Sequence, residues 1–426
     1  MEPILLEDNQ HWIKSDAYDN FTSRDILQKA LSFLDTKQIL ALIGARRVGK
    51  STLAKLMIKE LLHSVEAKNI FFINLEKPEF IPFKSDASYL GTIYDSYLKI
   101  ANPNLDEKIY FFIDEIQIFS NWEVFVKSKY ENSNIKFIIT GSNSSLLTSN
   151  YATVLTGRVL KLQINSFSFL ELLDYKQIKH GTTLEQVANR IEISRVKDEY
   201  LKWGGYYNVI SVEDEMMKKE ILKNIAEDII LKDIVPRYKI KNSLAIKDLF
   251  YYVVSNATTS LNYTTLAKKL DIDAKSIKEY IGYFEDNFLV STISAYHSKL
   301  TQQIKSSKKL YINDNGFLNL GVSRSANHGT YLENMVFIIL SQNSDEITYL
   351  KDIYEIDFKT KNTLYQVSYD ISEEKTRKRE LNAFEYFNSE NKAKNILITY
   401  DTNDDVENIN IVSIEKFIFN TLKDNS

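Results

Sequence analysis

QILALIGARRVGKST, residues 38–52, runs from an apolar segment through a glycine-containing loop into the helical pattern STLAKLMIKELLH. The order is strand, loop, helix. Its loop matches GxxxxGK[ST], with Gly44, Gly49, Lys50 and Ser51 at the fixed positions. Glycines let the backbone amides turn toward a phosphate, and the helix N-terminus adds partial positive charge. Gly44, Ala45, Arg46, Arg47, Val48, Gly49, Lys50, Ser51 and Thr52 are therefore the expected cradle for the phosphates of ATP. Lys50 would reach the β and γ phosphates and Ser51 would ligate Mg²⁺. A chance match in a Gly/Lys loop would not be expected to carry both the flanking strand and the flanking helix.

A second signature supports the first. KIYFFIDEIQ, 108–117, is a continuous apolar run ending in Asp114 and Glu115, as expected of a buried parallel strand with acids at its C-terminal edge. Asp114 would hold Mg²⁺ through water, and Glu115 would orient and deprotonate the attacking water, which favours hydrolysis over nucleotide holding. A third run, IKFIITGSN at 135–143, ends in Thr140, Ser142 and Asn143. Ser142 is the candidate there for sensing the γ-phosphate or placing the water, with a turn-forming Ser/Asn cluster as the alternative. Arg158, in LTGRVLKL, is a candidate for stabilising transition-state charge in cis or across a subunit interface, with an ordinary surface arginine as the alternative. NIFFINLE (69–76) and VLKLQI (159–164) complete five strand candidates with helices between several of them, a doubly wound parallel sheet.

At 426 residues the chain exceeds one ordinary hydrophobic core, so two to four domains are expected. A 44% hydrophobic, 26% charged composition is that of a globular protein, and a net charge of −4 leaves any nucleic-acid site to be a local patch. Zero cysteines exclude disulfides and thiolate metal sites. No stretch approaches a membrane-spanning apolar run, so the expectation is a cytoplasmic, unanchored protein.

After residue 165 the pattern turns helical, from FSFLELLDYKQI to EDEMMKKEILKNIAEDIILKDIVPRY, and a helical lid over the nucleotide is expected. YLKWGGYYNVI, 200–210, sets Gly204 and Gly205 at a turn beside aromatics. They either bring the chain close to the nucleotide or simply stop a helix. Residues 243–320 read as three helices, then two strand-like runs, LVSTISAYH and KLYIND, the pattern of a winged helix. Between the strands, HSKLTQQIKSSKK carries His297, Lys299, Lys305, Lys308 and Lys309 and no acid, which suits DNA phosphates. Glu279, Glu285 and Asp286 on the third helix argue the other way, for a module that contacts protein.

GARRVGKST, FIDEIQ, ITGSNSSLL, LTGR, YLKWGGYYNV, KLYINDNGF and YLENMVF, in that order, resemble the AAA-type ATPases that carry a winged helix and a C-terminal restriction-endonuclease-like domain. The resemblance covers nearly the whole chain. It implies an α/β architecture: a P-loop core over 1–165, a helical lid over 166–240, a winged helix over 241–322, and a restriction-endonuclease-like domain over 323–426. It also suggests Arg158 as the family's arginine near the nucleotide, and a homo-oligomer by analogy. In the last domain the family places an acid on a helix, an acid on a strand and acid-x-Lys on the next strand, two acids binding Mg²⁺ while the lysine activates water. Glu333 in GTYLENMVFIIL and Asp357 in YEIDF match the first two. In LYQVSYD, Gln366 and Ser368 stand where the acid and lysine would, leaving Glu333, Asp357 and Gln366 as a weakened metal set. Lys359, Lys375 and Lys378 are the candidate substitutes for the lysine. A retained but inactive fold is the favoured reading. Three functions follow: an ATP-driven switch acting on DNA, an ATP-regulated nuclease, or a signalling ATPase whose C-terminal half binds a protein partner.

Overall fold

The computed structural model describes residues 1–144, 154–322, 327–344, 346–388 and 393–423. It divides into two compact units, Met1–Ser166 and Phe167–Ser426.

In the first unit, strands β1 (Ile39–Ile43), β2 (Ile70–Asn74), β3 (Ile109–Asp114), β4 (Ile135–Gly141) and β5 (Val159–Gln163) form one sheet in the order β2-β3-β4-β1-β5. All neighbours are parallel. Apolar runs such as ILALI are buried along their whole length, as a sheet with both faces covered requires. Phe71, Tyr97, Phe111 and Phe137 pack on one another over this sheet. The exposed edge of β2 is closed by Asn9. Its amide donates to the Phe72 carbonyl at 2.8 Å and its oxygen accepts the Phe72 N–H at 2.7 Å, so one side chain mimics a neighbouring strand. Because the strands are parallel, the ends of β1, β3 and β4 come together at one edge, where ligands of such sheets bind.

The second unit begins with helices between residues 169 and 237. Phe169, Leu172, Ile193, Val196 and Tyr200 share a core with Tyr311, Phe337, Phe358 and Phe417. These residues of the helices pack within the second unit itself. Gly204 and Gly205 follow the same logic. A Cβ at Gly204 would lie 1.8 Å from Asp314 Oδ1, and one at Gly205 2.1 Å from the Phe167 carbonyl oxygen. The Gly205 N–H donates to Asp314 at 2.9 Å, so these glycines seat the helix end on the NDNG loop of their own unit.

Helices Ser243–Ser255, Tyr263–Leu270 and Ala274–Asp286 precede a small antiparallel sheet of β6 (Ser260–Leu261), β7 (Val290–Ser294) and β8 (Lys308–Ile312), ordered β6-β8-β7. The basic connection between β7 and β8 contains the short helix Leu300–Lys305. The last segment builds a six-stranded sheet from β9 (Thr348–Lys351), β10 (Glu355–Lys359), β11 (Thr363–Val367), β12 (Lys394–Thr399), β13 (Asp404–Val406) and β14 (Ile409–Ser413), ordered β13-β14-β12-β11-β10-β9. β11, β12 and β14 run parallel; β9, β10 and β13 are antiparallel to their neighbours. Helices His328–Asn343 and Ile414–Lys423 contribute to the core that this sheet shares with the earlier helices.

Candidate nucleotide site and a second acidic cluster

The loop after β1 reaches its helix, Lys50–Leu61, through two backbone positions that favour glycine or strain another residue. Gly49 has φ 94°, and Arg47 adopts φ 67°. Gly44 is needed for space, because a Cβ there would sit 2.1 Å from the Ile164 carbonyl oxygen. Arg24, which the sequence does not flag, braces the loop: one guanidinium nitrogen donates to the Val48 carbonyl at 3.0 Å and another to that of Asn165 at 2.9 Å. Arg46 pairs with Glu76 at 2.7 Å.

Lys50 is buried, with its ammonium donating to the carbonyls of Gly44 and Ala45 at 3.1 and 2.9 Å and standing 3.7 Å from Glu115. The Ser51 hydroxyl donates to Asp114 Oδ2 at 2.6 Å, and Thr140 donates to Oδ1 of the same carboxylate at 2.6 Å. Thr140 also accepts the Glu115 N–H at 3.0 Å, so one hydroxyl fixes both acids. Burial first, then the neighbouring charge of Glu115, pushes the Asp114 carboxyl up to about 6; Ser51, Thr140 and Lys50 pull it down by less. Glu115 sits at φ 55°, an uncommon conformation for a non-glycine residue, at the sharp turn that ends β3.

Gln117, two residues beyond Glu115, joins the cluster. Its amide donates to the Glu115 carboxylate and, at 3.3 Å, to the Ser142 hydroxyl. Its own oxygen is buried with no hydrogen-bond partner among the described residues. Ser142 and Thr140 therefore both belong to the cluster at the end of β4. Residues 145–147 of ITGSNSSLL lie outside the described residues.

Arg158 is elsewhere. Its carbonyl accepts the N–H of Ile39, the first residue of β1, whereas the phosphate loop follows the last. That places it at the opposite edge of the parallel sheet, roughly five residues at about 3.3 Å each from the loop. Its guanidinium is partly exposed and faces Glu131 at 3.3 Å. A role in cis is ruled out by this placement.

The residues present fit a magnesium nucleotide: a loop and helix N-terminus for phosphate, a lysine, and a hydroxyl beside a carboxylate for a hard cation. A family model described as an AAA domain matches residues 36–173, and one for a domain of unknown function (DUF8612) matches 195–326. An uncharacterised protein of Haemophilus influenzae is 30% identical over 360 residues, covering 82% of this chain and 86% of that one. A protein of Methanocaldococcus jannaschii, also uncharacterised, is 31% identical over 383 residues, covering 85% and 82%. The chain belongs to this family of AAA-domain proteins. Among solved structures, the Aeropyrum pernix ORC1 protein in complex with DNA aligns with 10% identity and TM-score 0.32, covering 74% of this chain and 95% of that one. Caenorhabditis elegans PCH-2 aligns with 12% identity and TM-score 0.31, covering 63% and 73%. These scores are too low to carry a functional argument. The nucleotide site above lies within the matched AAA domain, and no described helix of the chain is long and apolar enough to cross a membrane.

In the second unit Glu333 and Asp357 lie on either side of Lys309 and both contact its ammonium. Lys309 was expected to contact DNA; it is 4% exposed and enclosed by carboxylates, so no phosphate can reach it. Lys299 and Lys305 are exposed and Lys308 is half-buried. Gln366 is turned away from any metal role: its amide oxygen accepts the Asp357 N–H at 3.1 Å and its amide donates to Glu380 at 2.7 Å. The buried Glu380, unremarked in the sequence, is that partner. Of the proposed substitute lysines, Lys359 lies over the Tyr296 ring and Lys378 pairs with Glu374. The pairing of β10 with β9 shifts register between Ile356 and Lys359.

Proposed function

We propose that the protein is a Mg²⁺-dependent ATPase that works as a nucleotide-driven switch. The observation that carries this reading is the network in which Thr140 bonds both Asp114 and Glu115 while Ser51 bonds Asp114, next to a phosphate loop closed by Lys50. Bound Mg²⁺ would supply charge neutralisation on the phosphates. The chain's own residues do the rest: loop amides and Lys50 bind phosphate, Glu115 takes the proton of the attacking water, and Gln117 with Ser142 fixes the carboxylate of Glu115. Phosphate release that requires Mg²⁺ and Glu115 is the direct test.

The second unit is the output. The three helices and antiparallel strands of 243–312 suit a winged helix, and the mixed sheet of 348–413 with its flanking helices suits a restriction-endonuclease-like fold that has lost its chemistry. DNA is the favoured ligand, through the exposed cations Lys299 and Lys305 with Lys308 beside them. A protein partner is the second reading, favoured by Leu300 and Ile304, which are 70% and 66% exposed on the same short helix. Arg158, excluded in cis, is left to act across a subunit interface of a homo-oligomer. Salt-dependent binding of duplex DNA separates the two ligands.

A further inference from the structure

Side chains alternate along a strand, so Lys309 and Tyr311 share one face of β8, and Glu355 and Asp357 share one face of β10. The helix His328–Asn343 brings Glu333 to both. The Lys309 ammonium lies 2.5 Å from Glu355, 3.2 Å from Asp357 and 3.3 Å from Glu333. Tyr311 donates to the same Glu333 oxygen at 2.9 Å. The second oxygen of Asp357 accepts the Val367 N–H at 3.0 Å. Both acids that a restriction-endonuclease-like site would offer to Mg²⁺ are thus committed, and Gln366 in the third position is bonded away.

The donor set does not fit a divalent ion as it stands. Magnesium asks for near-octahedral oxygen at about 2.1 Å, whereas these carboxylates are spaced about 3 Å from an ammonium, at hydrogen-bonding distance. Among the described residues no group of three or more His, Cys, Asp or Glu is placed to hold a metal.

We propose that Lys309 is the resident cation of this site: its ammonium occupies the place of a metal, and the carboxylates accept a hard divalent ion only when that ammonium is removed. The lysine missing from β11 is in effect supplied by β8, and as a plug. The same contact joins the β7–β8 hairpin to the six-stranded sheet, beside one tie to the helix His328–Asn343 and one more to the sheet. Asn334 clamps both the N–H and the carbonyl of Ile312 at 2.8 Å, and the Tyr296 N–H donates to the Tyr349 carbonyl at 2.8 Å. Hairpin and sheet are thereby one block.

The test is Mn²⁺ binding to the full chain without nucleotide, followed by electron paramagnetic resonance, for the wild type, Asp357→Asn, Lys309→Met and the double variant. Wild type and Asp357→Asn should bind equally, Lys309→Met should gain one ion, and the double variant should lose it. An ion bound by the wild type and lost in Asp357→Asn overturns the proposal, as does a folded Lys309→Met that gains none. If Lys309→Met fails to fold, the wild type against Asp357→Asn still decides whether the site excludes metal. Because no nucleotide is present, the outcome is independent of ATP hydrolysis.

Discussion

The hydroxyl of Ser51, in the first turn of its helix, donates to Asp114 at the end of β3 across 2.6 Å. The hydroxyl and carboxylate that would share a magnesium ion are already adjacent, and the carboxylate is buried at a cost. Its pKa is raised from 3.8 to about 6, so between those values the folded protein holds a proton that the unfolded chain releases. Stability therefore falls as pH rises through that window and is level above it. Relative to Asp114→Asn, the wild type without nucleotide should lose on the order of 3 kcal/mol between pH 3.8 and 6, read by denaturant unfolding at a series of pH values. A difference independent of pH would contradict it.

Gln117 is a positioning residue for Glu115. Gln117→Ala should lower kcat by about tenfold with KM for ATP nearly unchanged, because loose placement of a general base costs rate and leaves phosphate binding alone. A purely structural role would shift unfolding and KM together.

The cationic hairpin carries the DNA reading. Replacing Lys299, Lys305 and Lys308 together by Ala should weaken duplex binding and reduce the slope of log affinity against log salt by roughly two to three. An unchanged slope would point to the protein-partner reading.

Arg158 lies at the far edge of its sheet, so Arg158→Ala should leave ATP affinity and single-turnover hydrolysis of dilute monomer unchanged. A loss appearing only at concentrations where the chain self-associates would assign it to a neighbouring subunit.

The two sites differ in how far sequence reveals them. The phosphate loop is one contiguous stretch whose function follows from local geometry, and the pairing of Asp114 with Ser51 follows from one strand order. The place of Arg158 relative to the phosphate loop is not given by motif order alone. In a parallel sheet a residue before one strand and a loop after another lie at opposite edges, a rule that could have been applied to the sequence. Lys309 was hidden for a different reason. Its partners Glu333 and Asp357 are 24 and 48 residues away, and a lysine beside Lys308 in a charged connection gives no sign of burial. The helices after 165 were recognisable as helices, but which core they enter is set by long-range packing that periodicity does not encode.

The central claim is ATP hydrolysis at the site of Lys50, Asp114 and Glu115. It is tested most directly by steady-state phosphate release from Mg·ATP by the wild type and by Glu115→Gln, with nucleotide binding followed in parallel through thermal stabilisation. The wild type should turn over ATP only with Mg²⁺, and Glu115→Gln should lose at least about a hundredfold in kcat while still being stabilised by ATP. Turnover by Glu115→Gln at the wild-type rate would contradict the account.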